Sequence, residues 1–245
     1  MARTDAVLIE RTGDVLDIVL NRPEQGNVLS AAMSDAMIGA LVTLDDTTKL
    51  VRLRSTGADF CTGRESPMPA ADSQPSAETL RRVVAAPPLA LYDAIKAVRV
   101  PVIGVVRGRA IGVGCALAGV CDVTLAAADA VFQIPEMDRD IPPALVMSAL
   151  LGRIPHKTLA YMVLSRCSIG ALEAMQTGLV SVVVSADQLD AQADQLSEML
   201  LKNSAVTLRA VKQFLQLAPQ MPDSAVSGFA QHLLATALST RFQKA

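Results

Sequence analysis

Two stretches combine residue types and spacing that bear on chemistry: Gly57-Ala58-Asp59-Phe60-Cys61-Thr62-Gly63-Arg64 and Gly112-Val113-Gly114-Cys115-Ala116. Each follows a strand-like run, residues 50–54 before the first and 101–108 before the second, and each opens toward a helix-like run. A tight turn at a helix N-terminus leaves backbone N–H groups without intrahelical partners, aimed at whatever anion sits there. Two such turns facing one another would make a two-donor oxyanion hole, worth on the order of 3–4 kcal/mol of transition-state stabilisation per donor. Dinucleotide and nucleotide readings fail. Leu117 occupies the third glycine position of G-x-G-x-x-G, and residues 57–65 lack the Lys-Ser/Thr of a P-loop. Cys61, Cys115, Cys121 and Cys167 show no C-x-x-C spacing and His156 and His232 are the only histidines, so no metal site is expected.

These turns must be held by strands and helices, and the hydrophobic pattern supplies both. Residues 7–10 and 15–20 read as strands joined at Gly13-Asp14. Ser30 reads as an N-cap before a helix whose apolar face carries Met33, Met37, Leu41 and Leu44. Residues 51–54 form the next strand. Residues 65–78, with Pro67, Pro69 and Pro75 among Ala, Ser and Asp, read as a mobile surface loop beside the first turn. A helix follows, broken near Pro87-Pro88 and resumed through Leu91, Ile95 and Val98. Residues 100–106 are the β-branched run of a strand covered on both faces. A helix of small residues over 111–120 then permits close packing on a sheet, with short strands expected at 122–125 and 131–133. Beyond residue 144 helices dominate (144–151, 156–164, 170–177, 187–201, 205–217 and 223–240), with one last strand at 180–184. The strand–strand–helix rhythm followed by a helical tail argues an α/β fold with a C-terminal helical appendage.

The chain has 245 residues, enough for one large α/β domain or a core with a small helical extension. Half of it is hydrophobic, aromatics are 3% and Trp is absent, so the core falls to Ala, Val, Leu, Ile and Met. A formal charge of −2 gives no electrostatic footprint for nucleic acid or an anionic membrane surface. The N-terminal residues Met1-Ala2-Arg3-Thr4-Asp5 run into a charged, alternating segment rather than an apolar signal core. No uncharged stretch approaches the roughly 20 residues of a membrane span. The expectation is a cytoplasmic globular protein with its thiols reduced.

Taken together, the motifs become specific through their order. Asn21-Arg22-Pro23-Glu24 precedes a helix; then come Gly57-x-Asp-Phe-Cys-x-Gly63, Pro101-Val102-Ile103, the second glycine turn, Cys121-Asp122-Val123 and Phe132-Gln133-Ile134-Pro135-Glu136. Ala171-Leu172-Glu173-Ala174-x-x-x-Gly178-Leu179-Val180 closes the set. From about residue 7 to 235 this series resembles the crotonase superfamily, the enoyl-CoA hydratase/isomerase family. The resemblance implies a spiral of β-β-α units over residues 1–185. It implies a helical region over 186–245 that builds homotrimers, often stacked as hexamers. The implied ligand is an acyl-CoA thioester, with coenzyme A part of the substrate and no separate cofactor. Its carbonyl oxygen would sit between the backbone N–H groups of Arg64 and Val113, in a pocket formed by Gly63, Gly112, Ala116 and Ile141. Glu65 stands where the family usually carries Asp, as a structural cap for the turn, and Asp122 would bond backbone at a strand start.

The same resemblance defines the acid/base question. Family hydratases activate water between two glutamates. The second is retained as Glu136, while Ala116 takes the place of the first. One carboxylate can still carry a proton between C2 and C4 of an enoyl thioester, so an enoyl-CoA isomerase fits better than a hydratase. The alternatives are an acyl-CoA-binding scaffold trimer without turnover, or a decarboxylase or thioester hydrolase on the same oxyanion hole. Against the catalytic reading of Glu136 stands a capping or salt-bridged glutamate, with Arg139 as the partner. Asp138 and Asp140 are substitute acids by proximity. The Arg64 side chain could reach a CoA phosphate or a substrate carboxylate, or be a solvated loop arginine. His156 and Lys157 read as surface and Tyr161 as core. Phe242 and Lys244 are candidates for contacting the adenine of a neighbouring subunit's CoA.

Overall fold

The computed structural model describes residues 5–65, 67–70 and 72–242. Strands β1 (Val7–Thr12) and β2 (Val15–Leu20) form a hairpin, and helix α1 (Ala31–Val42) follows, its N-terminus capped by Ser30 Oγ accepting from Met33 N–H at 3.2 Å. Strand β3 (Leu50–Ser55) leads into the first glycine turn. The helical segment α2 (Ala77–Leu80), a π-helical turn (Arg81–Ala85) and α3 (Ala86–Ala97) come next. The expected break at Pro87-Pro88 is absent. The prolines fall in the first turn of α3, and the preceding π turn shifts the hydrogen-bond register where their missing N–H groups would leave carbonyls unpaired.

Strand β4 (Val102–Val106), strand β5 (Arg109–Ile111) and helix α4 (Val113–Val120) carry the second turn, and β6 (Val123–Ala127), β7 (Val131–Gln133) and α5 (Ala144–Leu150) repeat the pattern. Helix α6 (His156–Ser165), strand β8 (Ile169–Gly170), helix α7 (Ala171–Gln176) and strand β9 (Val182–Val184) precede the final helices α8 (Leu189–Leu201), α9 (Ala205–Leu217) and α10 (Asp223–Ser239). The expected helix over 111–120 begins at Val113, because residues 109–111 pair as a strand. With three residues and two, β5 and β8 carry no periodic signal of their own and exist through their pairing with β7.

The six-stranded sheet has the order β1-β2-β3-β4-β6-β9, parallel except for the β1–β2 hairpin. The strands that follow β4 and β6 go elsewhere, into a small sheet β5-β7-β8 in which β5 and β7 are parallel. Splitting these β-β-α units between two sheets winds the chain as a spiral, as expected. Val102, Ile103, Val105 and Val106 of β4 are buried, matching the β-branched run. One core cluster lies between the sheet and α1, α3, α4 and α5. A second puts Leu189 and Ala193 of α8 against Leu50, Ile103, Val105 and Leu125 on the opposite face. Helix α8 is thus part of the sheet's cover, while α10 buries none of its own residues and leans on α9 through the stacked rings of Phe214 and Phe229, 5.7 Å apart. No helix of the described residues is long and apolar enough to cross a membrane.

Candidate active site

Parallel pairing of β5 and β7 determines the site. Ile111 lies opposite Gln133, so the chain leaves both strands at the same end, one toward Gly112 and the other toward Glu136. The first turn joins this edge. Cys61 bridges Ala110 in parallel, donating to Arg109 O at 3.1 Å and accepting from Ile111 N–H at 2.9 Å. Leu29 bridges Arg64 on the other side, donating to Gly63 O and accepting from Glu65 N–H, each at 2.9 Å. The two glycine turns are therefore neighbours, as the sequence pattern required.

Buried polar contacts hold them there. Asn27, fully buried, donates to Thr56 O at 2.9 Å and to Asp59 O at 2.7 Å, and its side-chain oxygen accepts from Arg22 N–H at 2.8 Å. Asp59 accepts from the Arg109 guanidinium and backbone N–H, and this pairing holds its carboxyl below the usual range. Gly114 sits so close to the first turn that a Cβ there would lie 2.1 Å from Cys61 O. Gly112 has φ of 55°, a conformation that strongly favours glycine, and a Cβ on it would meet Glu136 Oε1 at 2.8 Å. Among the described residues nothing accepts from the N–H groups of Arg64 or Val113.

Both turns open on a cavity of about 590 Å³. Gly63, Arg64, Gly112, Val113, Glu136 and Ile141 line it. Ala116 does not. It lies one helical turn inside α4, fully buried in the core, so the expectation that it walls the pocket is replaced by a packing role. Glu136 opens the 3₁₀ turn Glu136–Arg139 and makes no ion pair among the described residues, Arg139 included. Its Oε2 is buried without a hydrogen-bond partner. Burial raises its carboxyl above the ordinary range, against the opposing pull of its own backbone N–H, Arg139 and Arg64. Asp138 is instead bound to Arg166 at 3.1 Å, and Asp140 is exposed outside the cavity lining.

Several other expectations resolve. Glu65 does not cap the turn; its carboxylate pairs with Arg22 at 2.7 Å. Asp122 accepts from Val102 N–H at 2.8 Å as expected and also from the buried Lys212 ammonium of α9 at 2.8 Å. Arg64 is half-buried in the cavity wall rather than solvated. His156 and Lys157 are exposed. Tyr161 is 54% exposed, not core, because α6 turns that face outward. Phe242 is exposed, and Lys244 lies outside the described residues. The pattern missed Asn27 and Tyr92, and named Arg139 only as an ion-pair partner for Glu136. Tyr92 lines the cavity from α3, one of only two tyrosines, and its sole sequence signal was a polar tip on an apolar helix face. Burial pushes its hydroxyl well above the usual range, so it stays protonated. Among the described residues no group of three or more His, Cys, Asp and Glu side chains could hold a metal ion.

Comparison with known proteins agrees with this architecture. The family model described as enoyl-CoA hydratase/isomerase matches residues 10–244. The probable enoyl-CoA hydratase echA8 of Mycobacterium bovis is 34% identical over 217 residues, covering 87% of this chain and 82% of that protein. The 2,3-dehydroadipyl-CoA hydratase of Escherichia coli is 32% identical over 226 residues, covering 88% and 83%. Among solved structures, Pseudomonas aeruginosa AtuE superposes with a TM-score of 0.88 at 28% identity, over 96% of this chain and 92% of its own. A Thermobifida fusca protein crystallised in complex with CoA does so with 0.88 at 25% identity, over 98% and 95%.

Proposed function

This chain belongs to the enoyl-CoA hydratase/isomerase family and is an enzyme of that acyl-CoA chemistry, and from that premise we propose a specific reaction: movement of a double bond in an enoyl-CoA thioester through an enolate. The thioester oxygen accepts from the N–H groups of Arg64 and Val113, where negative charge develops as the proton leaves. Backbone donors suit this task because the fold has already oriented them. Glu136 takes a proton at C4 or C2 and returns it at the other carbon. The observation that carries the reading is a carboxylate aimed into the cavity beside Gly112 with no competing ion pair. Its desolvation raises the pKa toward the range in which one group can both accept and release a proton.

Isomerisation rather than hydration is supported by the cavity lining, in which Glu136 is the single carboxylate among the described residues and no second one stands ready to hold a water. Coenzyme A enters as part of the substrate, in keeping with the CoA complex of the Thermobifida relative. We place the enzyme in the cytoplasm, where its four unpaired cysteines stay reduced. We divide the chain into a spiral core, 1–185, and a helical region, 186–245, that joins copies into a trimer or hexamer. Exposed Val211 and Leu215 of α9 and Leu234 and Leu238 of α10 support that assembly.

Separate incubation with 3-enoyl-CoA and 2-enoyl-CoA tests the reaction. Interconversion without water addition is the expected result, and a hydrated product at the higher rate would replace isomerisation with hydration. Acyl-CoA-dependent thermal stabilisation without any turnover would make the protein a binding scaffold.

A further inference from the structure

Three guanidinium groups reach the cavity, and they are not equivalent. Arg81 is exposed and pairs with Glu78 at 2.6 Å. Arg64 and the exposed Arg139 line the same cavity and pair with no carboxylate among the described residues. Arg64 is half-buried, and burial lowers its pKa. An arginine nonetheless keeps its charge, so this side chain bears a desolvation cost that no ion pair of the free protein offsets. Tyr92, only 1% exposed, adds a protonated hydroxyl that bonds to no described residue. The remaining wall is largely apolar: Val28, Met68, Val84, Ile111, Ile141 and Leu145.

A plain hydrocarbon chain would match these apolar walls and strip still more water from the guanidiniums. A carboxylate at the far end of the chain would meet them instead with charge-assisted, bidentate hydrogen bonds. Position separates this from a role with CoA. The backbone N–H of Arg64 faces the thioester oxygen in the reading above, and its guanidinium is an electrostatic neighbour of Tyr92, Glu136 and Arg139, on the side of the cavity that holds the acid/base carboxyl. The CoA phosphates stand a whole pantetheine arm away from those carbons.

We propose that the acyl group itself carries a carboxylate: the substrate is the CoA monothioester of a dicarboxylic acid, its distal carboxylate received by Arg64 and Arg139 beside the Tyr92 hydroxyl. This rests on the acyl-CoA reading but not on the identity of the reaction. The test is calorimetric binding of two saturated thioesters of equal length, hexanedioyl-CoA and hexanoyl-CoA, with free CoA as reference. Neither carries a double bond, so turnover plays no part.

The intact protein should prefer hexanedioyl-CoA by about tenfold or more, as expected for a newly made charge-assisted pair. Arg64→Met and Arg139→Gln should each cut that preference at least about threefold. Arg64→Lys should keep part of it, since the charge remains and the fork is lost. Equal binding of the two thioesters by the intact protein overturns the proposal alone. So does a matching loss of free-CoA affinity in the Arg64 and Arg139 variants, which would assign the guanidiniums to phosphate. Failure of both thioesters to bind overturns the acyl-CoA reading and this proposal with it.

Discussion

The two halves of the cavity are built differently. On one side, the N–H groups proposed as donors, those of Arg64 and Val113, belong to backbone held by Asn27, Asp59, Arg109 and the contact of Gly114 with Cys61 O. On the other, the proposed proton handling rests on Glu136, a single side chain on a 3₁₀ turn, desolvated and without a hydrogen bond at Oε2. The difference teaches that the oxygen-binding half resists change because many contacts specify it, whereas the proton-handling half depends on one residue's environment. Mutations in the first should act through stability, and mutations in the second through rate.

The sharpest break in this contrast is Glu136→Gln. It should lower kcat by about 10²- to 10⁴-fold, the usual range for general acid–base groups, while acyl-CoA binding by calorimetry stays close to that of the parent. Unchanged turnover would remove Glu136 from the chemistry. Next in size, Gly114→Ala places a methyl against a backbone carbonyl that cannot rotate away. We expect about 1–3 kcal/mol or more of destabilisation in urea unfolding, with turnover falling as α4 and the Val113 donor are displaced. A variant as stable as the parent would mean that the turns are less tightly joined than described.

Asn27→Ala should cost about 1–3 kcal/mol for each buried partner it leaves unsatisfied, read from the same unfolding curves, and more than any effect on substrate affinity. A smaller effect concerns pH. Burial lifts the folded-state pKa of Glu136 above its unfolded value, so its contribution to stability is complete below the unfolded pKa and is lost as pH rises through the folded one. Glu136→Gln should therefore melt above the parent at pH 8, where the desolvated carboxylate is charged in the parent and absent in the variant. The gap should close near pH 4, and a gap that widens toward acid would reverse the sign of the environment proposed for this carboxyl. Smallest in its effect on rate, Val113→Gly keeps the N–H and should change kcat less than about threefold, while deleting this buried side chain costs about 1.5–3 kcal/mol of stability.

The fold was legible where elements are long. Residues 7–10 and 15–20, the Ser30 cap, the buried run of β4 and the C-terminal helices all follow from periodicity and capping. Short strands β5 and β8 were not, since their existence depends on pairing with β7 rather than on their own residues. The helix through Pro87 and Pro88 survived because a π turn absorbs the lost donors, a register change that local rules do not foresee. Tyr161 reads as core from composition, yet α6 presents it outward.

Within the site, residue types and order identified the two glycine turns, and the family resemblance carried by that order singled out Glu136 and the alanine at position 116, because each is a local property of the chain. Tertiary structure alone decided what those residues face. Parallel pairing of β5 with β7 puts Glu136 over Gly112, burial in α4 takes Ala116 out of the cavity, and the wall brings Arg64, Tyr92 and Arg139 together from three distant segments. The physical reason is that desolvation and unpaired charge are properties of surroundings. No sequence position carries them until the chain is packed.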